Sequence, residues 1–238
     1  FYRELPAEAG GHMICSFGME DALGLSPELP ERADWEKWAA SGSPFPASDG
    51  RVSSPDIPMM LSRRLLPGDR AAVEVMLRLQ QETSLMPDCI IFASRHGELL
   101  RSVTMLSSLA GDGTVSPTEF SNSVQNTPAA YYSMVSGNHA ESVSLSSGDD
   151  IVAMALSEAY ATISSGDAKC CGLVFYENPV SNSIMEIPSD GPAYGTFAAG
   201  FILRKGSSFT IESGLAGTLD PVQLMRYVLR GGDGDVAA

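Results

Sequence analysis

Positive charge, paired cysteines and long apolar runs are all scarce in this sequence, and each shortage excludes a class of protein. The sequence has 15 lysines and arginines but 29 acidic residues, which gives a formal net charge of −14. Because an acidic surface repels the phosphate backbone, we expect no nucleic-acid partner. The apolar runs fall far short of the roughly 20 residues that span a membrane, so we expect no membrane span. The basic cluster of Arg63, Arg64 and Arg70 is interpreted as a solvated or partner-facing edge.

The four cysteines lack the spacing of a zinc site or a disulfide framework. No Cys-x-x-Cys pair occurs, and Cys170 is directly followed by Cys171. Cys89 and Cys170 each open an apolar run that is typical of a buried strand, so we expect reduced thiols in the core. Such thiols are typical of a cytoplasmic protein, which is the location we predict. Since the chain also has no glycine-rich phosphate loop, we expect neither a metal nor a cofactor.

Apolar residues, by contrast, are plentiful enough to build a sizeable core. They make up 44% of the chain, and charged residues make up 18%. The length of 238 residues is typical of one α/β domain. The run from Gly10 to Met13 (GGHM) is typical of a cloning remnant in front of a native start. We therefore interpret residues 1–12 as a non-native leader and residues 13–238 as a single domain.

Hydrophobic patterning predicts helices that alternate with strands, which favours a mixed sheet with helices on its faces. Asp69 is predicted to cap one helix, and the run SPTE from Ser116 has the pattern of a capping box. Gly166 is predicted to end another helix. The predicted strands cover 13–17, 89–93, 142–145, 170–176, 193–203 and 209–213, and the predicted helices cover 33–40, 70–82, 98–109, 126–135, 151–163 and 222–229.

Two segments carry a resemblance to a known family. The first is SPTEFSNSVQNTPAA (116–130), and the second is SVSLSSGDD (142–150), which runs into a predicted helix, a glycine and a buried strand. In this order they are similar to the N-terminal domain of the β-ketoacyl synthases. Three further runs, DWEKW (34–38), RRLL (63–66) and FASRHGEL (92–99), make the chain resemble the short, chain-length-factor-like members from aryl polyene pathways.

The resemblance covers roughly residues 14–203 and implies a fold. It implies one half of the thiolase-like fold, which is an α/β domain with a mixed sheet, helices on its faces and a buried central helix. The predicted helix 151–163 corresponds to that central helix. Its small residues, such as Ala155 and Ala159, would let it pack closely on its neighbours.

The same resemblance implies that the family's nucleophile is missing. In a working ketosynthase a cysteine lies at the start of the central helix, where the helix dipole and backbone N–H groups stabilise its thiolate. The family's spacing, counted back from Gly166, places Asp149 there, and no cysteine occurs between Cys89 and Cys170. A carboxylate is a far poorer acyl acceptor than a thiolate. Working ketosynthases also use two histidines from the second half of their fold, whereas His96 and His139 precede the helix.

The resemblance therefore implies a non-catalytic, chain-length-factor-like subunit. It would form a heterodimer with a full-length ketosynthase in fatty-acid- or polyketide-type (aryl polyene) chain elongation, and would help to shape the tunnel for the growing chain. Acyl carrier protein would be reached through that partner, because both the chain and the carrier are acidic. No residue is assigned as catalytic. The candidates for the acyl tunnel or pocket are Ser147, Gly148, Asp149, Asp150, Asn126 and His96.

Several alternatives stay open at this point. Asp149 and Asp150 could be plain helix-terminal charges, and His96 could be a structural histidine. The chain could also be an acyl-transfer or decarboxylating enzyme that uses Asp149 or His96. It could instead be a structural homodimer without any acyl role.

Overall fold

The computed structural model describes residues 14–179, 194–212 and 219–232. The strands in these residues form one six-stranded mixed sheet. They are β1 (Ile14–Leu25), β2 (Cys89–Ser94), β3 (Glu141–Ser146), β4 (Cys170–Glu177), β5 (Phe197–Lys205) and β6 (Phe209–Glu212). The order across the sheet is β3-β2-β4-β5-β1-β6. Strand β2 is parallel to β3 and β4, whereas β5 is antiparallel to β4 and β1, and β6 is antiparallel to β1.

Helices cover both faces of the sheet. They are α1 (Arg32–Ser41), α2 (Met59–Ser62), α3 (Pro67–Thr83), α4 (Leu99–Asp112), α5 (Pro117–Ser121), α6 (Thr127–Ser136), α7 (Ile151–Ser165) and α8 (Pro221–Leu229), with a 3₁₀ turn at Gly148–Asp150. One core layer contains buried residues of α1, α7 and α8, and the other contains those of α3 and α6. This mixed sheet between helical layers confirms the fold predicted from the sequence.

Two helices run along the middle of the sheet, one on each face. Helix α7 packs on it through Ala155 and Ala159, both fully buried, and leaves its other side exposed at Ala153 and Met154. Helix α3 is the more deeply buried of the two, because nearly every residue of its first three turns is inaccessible. The central helix 151–163 is therefore buried along one side only.

The first strand is longer than its sequence suggests. It was predicted over 13–17, but β1 continues to Leu25 because β5 pairs with it as far as that residue. The polar pair Glu20 and Asp21 interrupts the apolar pattern, and the register shifts between Met19 and Asp21 as in a β-bulge. Tertiary pairing, rather than local propensity, sets this strand's length.

The start of α3 also differs from the prediction. Asp69 is not the cap residue, because the helix begins at Pro67 with Leu66 in the cap position. Proline suits the first helical turn, where no N–H partner is needed. The Asp69 carboxylate instead reaches back and accepts a hydrogen bond from the Leu66 N–H, with Oδ2 and N 3.2 Å apart.

The other predicted elements are present with ends that shift by a few residues. Ser116 caps α5, since its hydroxyl accepts from the Glu119 N–H at 3.4 Å, and Gly166 ends α7 with a positive φ. All four cysteines are buried, as their pattern predicts. None of the described helices is long and apolar enough to cross a membrane. The interpreted leader 1–12, together with Met13, Ala193, Ser213 and the last six residues, lies outside the described part of the chain.

Candidate functional site

Polar side chains gather where the parallel strands β2, β3 and β4 end. Ser94 is the last residue of β2, with Arg95 and His96 directly after it, while Ser146 ends β3 and Glu177 ends β4. The carboxyl ends of adjacent parallel strands meet at one edge of a sheet, which is where α/β proteins place their sites. Three segments that are distant in sequence therefore contribute to one cluster.

Glu177 is the buried anchor of this cluster. Its Oε1 accepts a hydrogen bond from the Arg95 N–H at 2.5 Å, and its Oε2 accepts one from the Ser94 hydroxyl at 3.3 Å. His96 Nδ1 lies 3.4 Å from Glu177 Oε2, and Arg95 Nε lies 3.7 Å from Oε1. Because the carboxylate is 5% exposed, these partners compensate for its loss of water.

Arg95 connects this anchor to the turn that precedes α7. Its Nη1 lies 3.6 Å from Oδ1 of Asp149, in the 3₁₀ turn. Its backbone carbonyl accepts a hydrogen bond from the Ser146 hydroxyl at 2.9 Å. The guanidinium is 9% exposed, whereas the Asp149 side chain is 36% exposed, so the pair has a buried and a solvent-facing end.

The structure brings together only some of the residues predicted for the site. Asp149 pairs with Arg95, and His96 lies beside Glu177, which also contacts Arg95. Asp149 and His96 therefore belong to one cluster, although they are more than fifty positions apart in the sequence. Asn126 is exposed at the start of α6, and none of its described contacts reaches Asp149.

The turn between Ser147 and Asp150 leaves most of its surface in solvent. Ser147 is half-buried, Gly148 is exposed with a φ of 54°, and Asp150 is exposed. Neither Ser147 nor Asp150 makes a side-chain cap hydrogen bond to the helix that follows.

No thiol lies at this edge of the sheet. Cys89 and Cys171 pack beside each other at the opposite ends of β2 and β4, where they are paired in register. A hydrogen bond with Cys89 and burial raise the pKa of the Cys171 thiol well above its usual value. Buried thiols of this kind are inert. The candidate site therefore offers carboxylates, a guanidinium and an imidazole, but no thiolate nucleophile.

A second group of buried polar residues lies next to Glu177 and begins with Asn178, the residue that follows it. Asn178 donates from Nδ2 to Asp69 Oδ1 at 2.8 Å, and its Oδ1 accepts from the Gly68 N–H at 2.7 Å. Asp69 neighbours Glu98, and burial together with the Asp69 charge raises the pKa of Glu98 to about 9. Glu98 therefore keeps its proton at neutral pH, beside Asp69, whose own pKa is also raised by burial.

Arg101 is the last member of this group of buried polar residues. Its Nε lies 3.3 Å from Glu98 Oε2, and its Nη1 donates to Glu119 Oε2 at 2.6 Å. Its Nη2 donates to the Arg64 carbonyl at 3.0 Å. Because Glu98 keeps its proton, the carboxylates of Glu119 and Asp69 balance the Arg101 charge. Three helix ends are thus tied together behind the candidate site.

Sequence reasoning missed Glu177, and a signal for it was present. A charged residue that closes an otherwise apolar, fully buried strand is unusual, because such a residue needs buried partners. In the run CCGLVFYE the final glutamate is that residue, and it points to the carboxyl edge of the sheet. Asp69, Glu98 and Arg101 gave no such signal, since each lies in or beside an amphipathic helix.

The six-stranded mixed sheet, the helices on both faces and the polar cluster at its carboxyl edge define an α/β protein of the thiolase-like ketosynthase class. The profile of the family described as the β-ketoacyl synthase N-terminal domain matches residues 35–224. The chain belongs to this family, which confirms the resemblance drawn from the sequence. No curated protein matches the chain.

Solved structures with this fold include complexes of ketosynthases with chain length factors. One chain of the complex between the ketosynthase ApeO and its chain length factor ApeC, from Xenorhabdus doucetiae, has a TM-score of 0.77 and 29% identity, over 91% of this chain and 92% of that one. The ishigamide ketosynthase/chain length factor has a TM-score of 0.61 and 15% identity, over 82% of this chain and 63% of that one. AntDE:AntF, a type II polyketide synthase acyl carrier protein in complex with its ketosynthase, has a TM-score of 0.60 and 15% identity, over 81% and 63%.

Proposed function

We propose that this chain is a non-catalytic, chain-length-factor-like subunit that forms a heterodimer with a full-length ketosynthase. The observation that carries the proposal is the ion pair between Asp149 and Arg95 at the turn before α7. By the family's spacing, this turn is where a working ketosynthase has its cysteine. A carboxylate held by a guanidinium neither forms a thioester nor frees its charge for attack.

The size of the matched chains supports the pairing. The chain matched in the ApeO–ApeC complex has nearly the same length as this one, because more than nine tenths of each is covered. The ishigamide and AntDE chains are longer, and this chain covers 63% of each. A short chain of this fold therefore occurs within a ketosynthase–chain length factor complex, which is the assembly that we propose here.

The sheet offers an edge for such a partner. Among the described strands, β3 pairs with β2 on one side and with none on the other. Its sequence ESVSLS contains no lysine or proline of the kind that protects free edges. The helices that flank it, α6 and α7, each expose a methionine, Met134 at 59% and Met154 at 51%. We propose that the ketosynthase covers this edge and reaches acyl carrier protein on behalf of the pair.

The proposal is tested first by capture from the native host. The tagged chain is used to retrieve partners from a lysate, and mass spectrometry identifies them. We expect a ketosynthase with an intact catalytic cysteine, in a one-to-one complex by light scattering. The purified chain alone should show no condensation of acyl and malonyl groups on acyl carrier protein. Condensation by the chain alone, or a stable homodimer that ignores the ketosynthase, would contradict the proposal.

The interface is tested with a matched pair of edge variants. Ser142→Arg places a large charge on the exposed edge of β3, and Thr210→Arg does the same on β6, the edge strand at the other end of the sheet. We expect Ser142→Arg to weaken the heterodimer by about tenfold or more, because a buried unpaired charge opposes association. Thr210→Arg should leave its affinity unchanged. If the ketosynthase bound both variants with equal affinity, the interface would not include β3.

A second candidate function is favoured by the contact between His96 and Glu177. A carboxylate on one ring nitrogen orients a histidine for proton transfer, which an acyl-transfer or decarboxylating enzyme requires. If the chain is such an enzyme, His96→Gln should abolish malonyl decarboxylation while the ketosynthase complex persists. His139→Gln is the matched control, since His139 is exposed and its described contact is with Ser133.

A further inference from the structure

An aromatic depression lies beside the first turns of α8, and none of its lining residues belongs to the polar cluster. Its volume is about 360 Å³, and it lies among Trp38, Pro44, Phe45, Ala47, Tyr194, Val222, Gln223 and Arg226. Pockets for small molecules begin at about 300 Å³, so this volume suits a compact ligand rather than an extended chain. No step of the proposed function uses these residues.

Three aromatic rings form the walls of this pocket. The ring centroids of Trp38 and Phe45 are 5.4 Å apart at an interplanar angle of 85°, and those of Phe45 and Tyr194 are 5.4 Å apart at 87°. Each ring thus meets the next edge to face. The rings are also fixed in place, since Trp38 Nε1 donates to the Pro44 carbonyl at 3.1 Å and the Tyr194 hydroxyl donates to Asp220 at 2.8 Å. Rigid perpendicular walls favour another planar ring over a flexible alkyl chain.

Arg226 is the charged residue that lines the pocket. Its guanidinium carbon lies 4.0 Å from the centroid of the Trp38 ring, and one of its amino groups donates to the Ser43 carbonyl. Its Nε is buried and has no hydrogen-bond partner among the described residues. No carboxylate in the described part of the chain forms an ion pair with it.

The surroundings of Arg226 make an anion favourable there. Burial and then the positive charge of Arg230 lower the pKa of the Arg226 guanidinium, and these effects outweigh those of Tyr194 and of the Asp220 carboxylate, which raise it. A carboxylate beside the half-buried Arg226 side chain would offset both effects and would accept a charge-assisted hydrogen bond from the guanidinium. The first-turn N–H groups of Val222 and Gln223 already donate to Asp220, so the anion would depend on Arg226 rather than on the helix end.

We propose that this pocket binds a small planar aromatic carboxylate, with its ring against the walls formed by Trp38, Phe45 and Tyr194 and its carboxylate on Arg226. Phe197 links the pocket to the rest of the sheet: its ring lies 5.8 Å from that of Tyr194, and it pairs in register with Glu177. The pocket and the polar cluster thus share one edge of the sheet. The proposal stands on the pocket's own residues and holds whether or not a ketosynthase partner exists.

The chain carries its own reporter for this test. Its two tryptophans are Trp38, in the pocket wall, and Trp35, whose ring centroid is 5.5 Å from that of Trp38. Tryptophan emission of the full chain is titrated with benzoate, with benzamide as the planar neutral analogue, and with cyclohexanecarboxylate as the charged non-planar analogue. Calorimetry of the same three ligands gives their affinities directly.

Benzoate should change the tryptophan emission in a saturable way. The two analogues should bind about tenfold more weakly, because benzamide lacks the charge and cyclohexanecarboxylate lacks the planar ring. Arg226→Gln should weaken benzoate binding by about tenfold or more. Arg230→Gln, one turn further along and exposed, should weaken it far less. Circular dichroism and melting temperature show whether each variant is folded.

Three results would overturn the proposal. They are the absence of saturation by benzoate, equal affinity for benzoate and benzamide, and equal losses in Arg226→Gln and Arg230→Gln. The ligand series on the unmodified chain decides the question even if Arg226→Gln proves unstable. Failure of this test leaves the ketosynthase pairing untouched, since that is measured by complex formation.

Discussion

The guanidinium of Arg95 and the carboxylate of Asp149 form an ion pair, with Nη1 and Oδ1 3.6 Å apart. The pair joins the end of β2 to the turn that begins α7. Arg95 is held in turn by Glu177 at the end of β4, so the Asp149 carboxylate is fixed from two strands. We propose that the position at which the family's spacing places a reactive thiolate carries a structural charge in this chain.

Asp149→Cys tests the electrostatics of this turn. Arg95 would favour the thiolate, so the new thiol should have a pKa below the usual value of about 8.5. The four native cysteines are buried and should not interfere. The rate of alkylation by iodoacetamide, followed by intact mass as a function of pH, gives the pKa. Asp150→Cys, exposed in the same turn, is the control, and equal midpoints for the two variants would argue against a field from Arg95.

Glu98→Gln should flatten the dependence of stability on pH. Folded Glu98 keeps its proton up to about pH 9, whereas an unfolded glutamate releases it near 4.5. The folded state thus binds the extra proton between these values, and the free energy of unfolding should fall as pH rises through this window. Glutamine cannot ionise, so the variant should lose the part of the slope that Glu98 contributes, whereas Glu74, whose burial raises its pKa to about 7, keeps its own part.

The slope is measured by urea denaturation at several pH values between 5 and 9. Glu119→Gln is the matched control, because Glu119 also contacts Arg101 but its side chain is 43% exposed. It should change the slope little. A slope in Glu98→Gln equal to that of the unmodified chain would show that Glu98 is ionised in the folded state.

Gly68→Ala should destabilise the fold and disturb the site. A Cβ on Gly68 would lie 2.2 Å from the Glu177 carbonyl oxygen and 2.6 Å from its carbon, and neither backbone atom can move freely. We expect a loss of about 1–3 kcal/mol in the free energy of unfolding, as for other overpacked positions. Gly111→Ala, in α4, is the control, since a Cβ there meets nothing within 4 Å. It should stabilise the chain by up to about 1 kcal/mol, and a similar result at Gly68 would disprove the close approach.

Glu177→Gln should loosen the end of β2. The change removes the negative charge that faces Arg95 and His96, although the amide still offers one acceptor. Hydrogen bonds to a buried charge contribute about 1.5–3 kcal/mol, so we expect a loss in that range. Chemical denaturation measures it, and hydrogen exchange at the Arg95 amide shows whether the loss is local. Glu141→Gln, exposed at the start of β3, should change neither quantity; if it matches Glu177→Gln, the anchor role is wrong.

The sequence was most informative where one residue pattern decided the structure. The strands β2 and β4 are buried on both faces, so their apolar runs mark them without ambiguity. Glycine and proline marked the helix ends for a local reason, namely the φ angles that these residues permit. The end of β1 was not predicted, because Glu20 and Asp21 break the pattern and only pairing with β5 extends the strand.

The candidate site was predictable only in part. Asp149 and His96 were identified from their places in family-like runs. Their connection was not, because it depends on Glu177, which is 82 positions from Arg95 in sequence. The contact between Asn178 and Asp69 spans 109 positions. Pairings of this length depend on how the strands are ordered in the sheet, and no local signal records that order.

Among the described strands, β3 ends the sheet with an unpaired edge, and this edge affects how much of the chain can accumulate in a cell. An edge strand without protection pairs with whatever strand it meets, including that of another copy. If a ketosynthase covers this edge, as we propose, chain made in excess of that partner would be prone to aggregation and degradation, and its net charge of −14 would be the main factor that opposes self-association. Balanced synthesis of the two subunits would then be a physical requirement of the fold.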